Sequence, residues 1–366
     1  MPVHLQDFLN MPNARISVQL KKEAKDKIKY KIKDRIGLLS KEFNITPARL
    51  YEYFLWQKSE IPLETLYLVA SRFNLHKDIE KDVIYYKQLH VPSKISIKNP
   101  KLPIEITPYF TSFIANLFFD GSVPEDGKGT YYNQKNEDIM DDFINKVKII
   151  FGDTSYTIRK DHRGVLNCRL PRLIGEMSKY IYQVKDFGTF KARIPEQIFN
   201  LSIEHKQAFV LTGLIDEGSI SFDGSIIFGV SNFEMLCDFR KLCQDIGLNT
   251  TEVKNKKNSN HYYIYIKSKE ELLKIIELIN SQYPLINLRF KEKRLIDAIK
   301  IAKSVKPIDN LEKDILLELD KRCSVNYLSL KFIVNPRTIR YNLYKLIKKN
   351  KVRRERIGNE FIYFLN

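Results

Sequence analysis

The chain has 366 residues, 43% of them hydrophobic, and a formal charge of +17, which is enough for two or three domains with real cores and points to a polyanion, nucleic acid first. No run approaches the roughly 18 apolar residues of a membrane span, and MPVHLQDFLN lacks the charged-then-apolar pattern of a signal peptide. Cys168, Cys237, Cys243 and Cys323 form no CxxC pair and sit apart from the histidines, so neither a zinc site nor a disulfide framework is expected, and the balance describes a soluble, cytoplasmic protein without a membrane partner.

Residues 1–90 read as an all-α domain. Lys31 to Phe43 carries Ile32, Ile36, Leu39 and Phe43 on one helical face. Thr46 and Pro47 then open a second helix, NITPARLYEYFLW, and Pro62 opens a third. Short helices joined at Gly37 and Asn44 resemble a helix-turn-helix, with Arg49 as its candidate nucleic-acid contact. Glu52 on the same helix does not favour phosphate. Residues 91–103, VPSKISIKNPKLP, hold three prolines and read as a linker.

Residues 104–304 contain an internal repeat, 104–190 and 191–304. IANLFFDGSV (Ile114 to Val123) aligns with LTGLIDEGSI (Leu211 to Ile220), matching Asp120 to Glu217 and Gly121-Ser122 to Gly218-Ser219. Downstream, NEDIMDDFINKVKIIFG pairs with NFEMLCDFRKLCQDIG as amphipathic helices, and SYTIRK pairs with TTEVKN, setting Arg159 opposite Lys254. VLNCRLPRLIGEMSKYI and YYIYIKSKEELLKIIEL each read as a strand running into a helix. The unit is helix, strands, helix, strands, helix, present twice. Acids at a helix C-terminus are mildly unfavourable, so Asp216 and Glu217 at the end of an apolar helix ask for a reason. Singly, each acid-glycine pair reads as well as a helix end or a turn. Its occurrence in both repeats favours a cation site: paired helices would bring Asp120 and Glu217 close, and hard divalent cations prefer carboxylate oxygens.

Residues 305–366 read as a winged helix-turn-helix, with VKPIDN as the break before it. LEKDILLELDKR, SVNYLSLKFIV and NPRTIRYNLYKLIKKN are three helices, the last capped by Asn335 and Pro336 with Ile339, Leu343 and Leu346 or Ile347 inward. VRRERIGNEFIYFL is a hairpin turning at Gly358-Asn359. In this fold the third helix enters the major groove. Arg337, Arg340, Tyr341 and Lys345 are its candidate contacts, and Arg353, Arg354 and Arg356 those of the wing.

The paired motifs LTGLIDEGSI and IANLFFDGSV, with the lead-in KARIPEQIFNLSIEHKQAFV, resemble those of the LAGLIDADG endonucleases in their two-repeat, single-chain form. The resemblance covers about residues 104 to 300. It implies an α+β fold whose two pseudo-symmetric repeats lay saddle-shaped sheets over the DNA major groove. Asp120 and Glu217 are then the acids that bind Mg²⁺ and help cut the strands, with Arg159 and Lys254 as basic residues near the scissile phosphate. Two departures stand out: both motifs are one residue short between leucine and glycine, and Asn116 replaces the small glycine that favours close helix contact, with the bulky Phe118 and Phe119 after it. The chain starts Met-Pro and ends FLN, without the termini of an intein. Two repeats in one chain imply a core that works as a monomer. The expected function is site-specific, Mg-dependent cleavage of double-stranded DNA, with RNA also open as partner. The alternatives are a non-catalytic DNA-binding transcriptional regulator on a retired fold of this type and an RNA-processing factor.

Overall fold

The structure, a computed structural model, describes all residues except 1, 13–14, 57–58, 76–78, 93, 125–128, 222–223, 256–258, 283, 303–309 and 359. Two compact units emerge, Met1–Phe209 and Val210–Asn366. Most of the expected break VKPIDN and the hairpin residue Asn359 lie outside the described residues.

The first unit opens with strands β1 (Pro2–Val3) and β2 (Ile16–Leu20). Helices α1 (Lys22–Ile32), α2 (Ile36–Phe43) and α3 (Pro47–Leu50) follow. After them come β3 (Ile61–Pro62), α4 (Leu63–Arg72), β4 (Val83–Gln88), β5 (Ile97–Lys98) and β6 (Ile104–Glu105). The N-terminal region is therefore not all-α. Ile16, Val18 and Leu20 are buried on β2, which pairs along its length with β4, where Val83 and Tyr86 are buried. These β-branched and aromatic residues suit a pleated, half-buried surface. The expected single helix from Lys31 to Phe43 is broken by a 3-10 turn at Lys33–Arg35. A helix-turn-helix corner does form: Asn44 takes the left-handed conformation at φ 54° after α2, and Pro47 starts α3. The stretch read as a linker contributes β5, which joins β4 to β9 (Asp153–Thr154) within one sheet of order β3-β2-β4-β5-β9.

Repeat one runs α5 (Pro108–Phe119), β7 (Gly121–Ser122), β8 (Thr130–Gln134), α6 (Glu137–Phe151), β10 (Thr157–Lys160), β11 (Leu166–Leu170) and α7 (Arg172–Tyr182). A short helix α8 (Glu196–Phe199) leads to the second motif helix, α9 (Ile203–Asp216). Repeat two continues with β12 (Gly218–Ser221), β13 (Ser225–Val230), α10 (Phe233–Asp245), β14 (Lys254–Asn255), β15 (Tyr262–Ile266) and α11 (Lys269–Gln282). Among the described residues the sheets have matching orders, β10-β11-β8-β7 and β14-β15-β13-β12. Their registers match too: Gly121 faces Tyr132 as Gly218 faces Phe228, and Arg159 faces Asn167 as Lys254 faces Tyr263.

The interior repeats with the backbone. Tyr132 stacks on Phe143 at 4.2 Å, and Phe228 on Phe239 at 3.9 Å. Asn136 and Asn232 cap their helices by accepting the N–H of Ile139 and of Met235, both at 3.1 Å. Each cap satisfies one of the orphan donors of a helix start. Helix α5 is buried on nearly every face from Phe110 to Phe118, as a helix at the centre of a core must be. Its bulky Phe118 and Phe119 are accommodated by Phe209, at ring distances of 5.9 and 5.7 Å.

Beyond repeat two, α12 (Phe290–Ala302) precedes the last module, formed by α13 (Leu311–Glu318), β16 (Cys323–Ser324), α14 (Val325–Phe332), α15 (Pro336–Lys348), β17 (Val352–Ile357) and β18 (Glu360–Leu365). Its core gathers Ile315, Leu328, Ile339, Leu343 and Leu346, with Val352 and Tyr363 from the hairpin. This is the expected three helices plus wing. The whole chain is α+β. All four cysteines are free, and no described helix is long and apolar enough to cross a membrane.

Candidate nucleic-acid interface and acidic motif ends

Each motif helix is followed at once by its acid, then by a glycine that begins an edge strand. A Cβ on Gly121 would lie 2.5 Å from Leu117 Cα and 2.9 Å from the Asn116 carbonyl oxygen. On Gly218 it would strike the Leu214 carbonyl, 3.0 Å from Leu214 Cα. Glycine is needed because the strand leaves against its own helix, with no room for a side chain.

Asp120 is half-buried. Its carboxylate accepts from Gln134 Nε2 at 3.4 Å, and its carbonyl accepts from the Asn133 N–H at 3.0 Å. A row of polar residues then crosses the sheet: Asn133 faces Asn167, which faces Arg159 at the far edge. Asn167 Nδ2 donates to Asn133 Oδ1 at 2.5 Å. Residues opposite one another in an antiparallel pair share a face, so the row lines one surface. The matching surface of repeat two carries Lys254, Tyr263 and Gly229. Tyr265 lies next to them, packed edge-on to Tyr263 at 5.3 Å with Lys267 over its ring at 4.2 Å.

Glu217 is half-buried at the end of α9. Burial first, then the neighbouring Asp216 charge, pushes its carboxyl up to about 7, against the opposing pull of Lys291. Lys291 is 9% exposed on α12, and its ammonium donates to the carbonyls of Leu214 at 3.3 Å, Ile215 and Gly218 at 2.6 Å. A buried cation therefore caps the negative end of the motif helix. Lys291 has no signal in the sequence: it is one of several cations in FKEKR, distant in the chain from the carbonyls it meets.

Arg159 and Lys254 are exposed on equivalent edge strands, yet each is three strands from the acid of its own repeat, about 14 Å at the usual strand spacing. Within a repeat, the topology does not bring base and acid together. Among the described residues no group of three or more His, Cys, Asp or Glu side chains is gathered to hold a metal.

In the last module Arg337, Arg340 and Tyr341 are exposed along α15. Lys345 lies over the Tyr341 ring at 4.7 Å and 3.6 Å from Glu312, which partly commits its charge. On the wing, strand alternation puts Arg354 and Arg356 on one face and Arg353 on the other. Arg354 covers the Phe361 ring at 4.8 Å. Arg49 is exposed on α3 and shares a 620 Å³ cavity with Glu52, Glu64 and His90, a mixed surface rather than a cationic one.

No protein-family model matches the sequence, and no curated protein matches it. Among solved structures, the chain is similar to mesophilic variants of the homing endonuclease I-DmoI at 13% identity, covering 50% of this chain and 97% of that one with a TM-score of 0.36. It is similar to full-length DUF199/WhiA from Thermatoga maritima at 13% identity, covering 66% and 90% with a TM-score of 0.36. I-DmoI in complex with DNA and Ca matches at 12% identity, covering 50% and 93% with a TM-score of 0.37.

Proposed function

We propose that this protein binds double-stranded DNA through the outward faces of its two repeat sheets and through α15 and the wing, and that the motif acids serve divalent-metal-dependent cleavage. The observation that carries the binding reading is the charge of +17 together with its placement. Arg159 and Lys254 occupy register-matched edges of two equivalent sheets, while Arg337, Arg340, Arg354 and Arg356 stand exposed on a helix and wing. Cations at such positions set register and supply affinity by contacting phosphates, while amides such as Asn133 and Asn167 have the donors and acceptors to read base edges.

Asp120 and Glu217 supply the hard carboxylate oxygens that suit Mg²⁺, an ion that takes few protein ligands and completes its shell with water and substrate phosphate. Each acid would serve as a ligand to such an ion, which when bound would polarise a phosphodiester and activate water. The remaining roles belong to the chain. Gln134 fixes the Asp120 carboxylate by its hydrogen bond. Lys291 opposes the upward push on Glu217 and so favours the carboxylate that a cation requires.

One observation favours the second reading, a non-catalytic regulator. Lys291 already places an ammonium on the carbonyls around Glu217, so the motif end is electrostatically supported without a metal. The separating experiment is cleavage of a random duplex library and of total cellular RNA, with and without Mg²⁺, by the wild type and the Asp120→Asn, Glu217→Gln double variant. Metal-dependent cuts that vanish in the variant establish the nuclease and its substrate. Salt-sensitive binding that is equal in both proteins, with no cuts, establishes the regulator.

A further inference from the structure

Helix α15 is opened by its Asn335 cap and buries Pro336, Ile339, Leu343 and Leu346 in the core of the last module. The helical period then decides what the opposite side presents: Arg337, Tyr341, Tyr344, Lys345 and Lys348. Two of these are large rings in water, Tyr341 at 60% exposure and Tyr344 at 56%. A single exposed ring is ordinary, but two on one helix face form a surface.

Each ring has a cation against it, four residues on. The Lys345 ammonium lies 4.7 Å from the Tyr341 centroid, and that of Lys348 lies 4.8 Å from the Tyr344 centroid. Such contacts orient a ring while leaving it in solvent. The wing repeats the pattern, with Arg354 over the Phe361 ring at 4.8 Å and Phe361 44% exposed. The charge is of one sign, for no acid occurs from Asn335 to Arg354. Glu312 on α13 reaches the helix, but it meets Lys349 at 2.7 Å and Lys345 at 3.6 Å. Among the described residues Arg337 and Lys348 have no carboxylate partner.

Bases within a duplex stack on one another and show a protein only their edges and phosphates. Cations alone suffice for the phosphates. Ring faces are of use where a base is unpaired, and aromatic side chains beside backbone-tracking cations are the means by which single strands are held. Residues three apart on a helix have Cβ atoms about 5–6 Å apart, so the two rings can take neighbouring nucleotides.

We propose that this face of α15 holds single-stranded DNA, with unpaired bases stacked on Tyr341 and Tyr344 and phosphates met by Arg337 and Lys348. The proposal rests on the reading of this module as DNA-binding and goes beyond it in giving the module bases as well as phosphates. The strand is DNA for that reason: it would be the unpaired stretch of a duplex that has been opened or cut.

The test is fluorescence anisotropy of the full-length protein with a labelled oligothymidylate of about twelve nucleotides, beside its duplex with oligodeoxyadenylate and an oligouridylate of equal length. The Tyr341→Ala, Tyr344→Ala variant is expected to bind the single strand at least about tenfold more weakly, and the duplex within about twofold of the wild type. Both side chains are exposed, so the variant folds, and its melting temperature should match that of the wild type. The Tyr341→Phe, Tyr344→Phe variant keeps the rings without the hydroxyls and should bind the single strand as the wild type does. Arg337→Ala should weaken single strand and duplex alike, since both carry phosphates. Ring-dependent binding of the single strand by a protein that ignores the duplex would remove the duplex reading and leave this proposal standing. The proposal is overturned by no binding of the single strand, by affinity unchanged in the alanine variant, by equal losses on duplex and single strand, by a loss as large in the phenylalanine variant, or by tighter binding of the oligouridylate.

Discussion

Replacing Lys291 by methionine tests how the motif helix of repeat two is held. The side chain keeps its unbranched shape, one atom shorter, and loses its charge. The wild-type ammonium, 9% exposed, donates to the carbonyls of Leu214, Ile215 and Gly218. Hydrogen bonds from a charged group contribute about 1.5–3 kcal/mol each, and a buried acceptor left unpaired costs about 1–3 kcal/mol. Methionine avoids the desolvation cost of a buried ammonium, which offsets part of the loss. A net destabilisation of about 3 kcal/mol is expected. For a unit the size of Val210–Asn366, that lowers the unfolding midpoint by roughly 6–12 °C. Thermal unfolding followed by circular dichroism is the assay, with Lys300→Met as the control because Lys300 is exposed on the same helix and its loss should stay within about 0.5 kcal/mol. A Lys291→Met protein as stable as the control would refute the reasoning: the carbonyl end of α9 would then need no cation.

Glu217 should give the stability curve a visible pH limb. Its folded pKa of about 7 lies above its ordinary 4.5, so its contribution is fully present below about pH 4.5 and is lost as pH rises through 7, a fall of about 3 kcal/mol. Denaturant melts should show that limb flattened in Glu217→Gln. If the Glu217 carboxylate is the Mg²⁺ ligand proposed above, added Mg²⁺ restores stability above pH 7, and a melt indifferent to Mg²⁺ in that range excludes Glu217 as a ligand. Gly121→Ala and Gly218→Ala should each cost about 1–3 kcal/mol in chemical denaturation through backbone clash, and near-neutral values would show that the edge strands can move off their helices. Arg354→Ala and Arg356→Ala should each lower the slope of log binding constant against log salt by roughly one, read by fluorescence anisotropy on duplex DNA. An unchanged slope would remove the wing from the interface.

The repeat was legible because periodicity and punctuation marked it: acid-glycine after an apolar helix, an Asn cap, and an amphipathic helix closed by glycine or its equivalent. The C-terminal module was legible for the same reasons, through Asn335-Pro336 and the alternation of VRRERI. The N-terminal sheet was not. Strand β2 is five residues long and buried at four of them, so it lacks the clean alternation that announces a strand, and its partner β4 lies more than sixty residues away. Strand β5 is two residues between prolines and has no propensity signal at all. Lys291 was invisible for a different reason. Its meaning comes from three carbonyls more than seventy residues upstream, and a long-range contact of that kind leaves no mark on the local pattern.

The same distinction separates what the two repeats share from what they do not. The stacks Tyr132–Phe143 and Phe228–Phe239, the caps Asn136 and Asn232, and the glycines after the acids all lie where packing or backbone geometry leaves little choice. The outward faces differ residue by residue. Repeat one presents Asn133, Asn167 and Arg169 where repeat two presents Gly229, Tyr263 and Tyr265. Interior positions are constrained by density, whereas a solvated sheet face is free to diverge with its partner. A protein made of two identical faces would suit a palindromic target. These faces offer amide and guanidinium donors in one repeat and phenols and a bare backbone in the other, so the proposed binding predicts a target with two chemically different halves. Replacing Tyr263 and Tyr265 by the Asn and Arg of repeat one should then shift selection from a random duplex library toward palindromic sites, at a stability cost from the lost Tyr263–Tyr265 ring contact, with Gly229 kept because a Cβ there would lie 2.6 Å from the His261 ring.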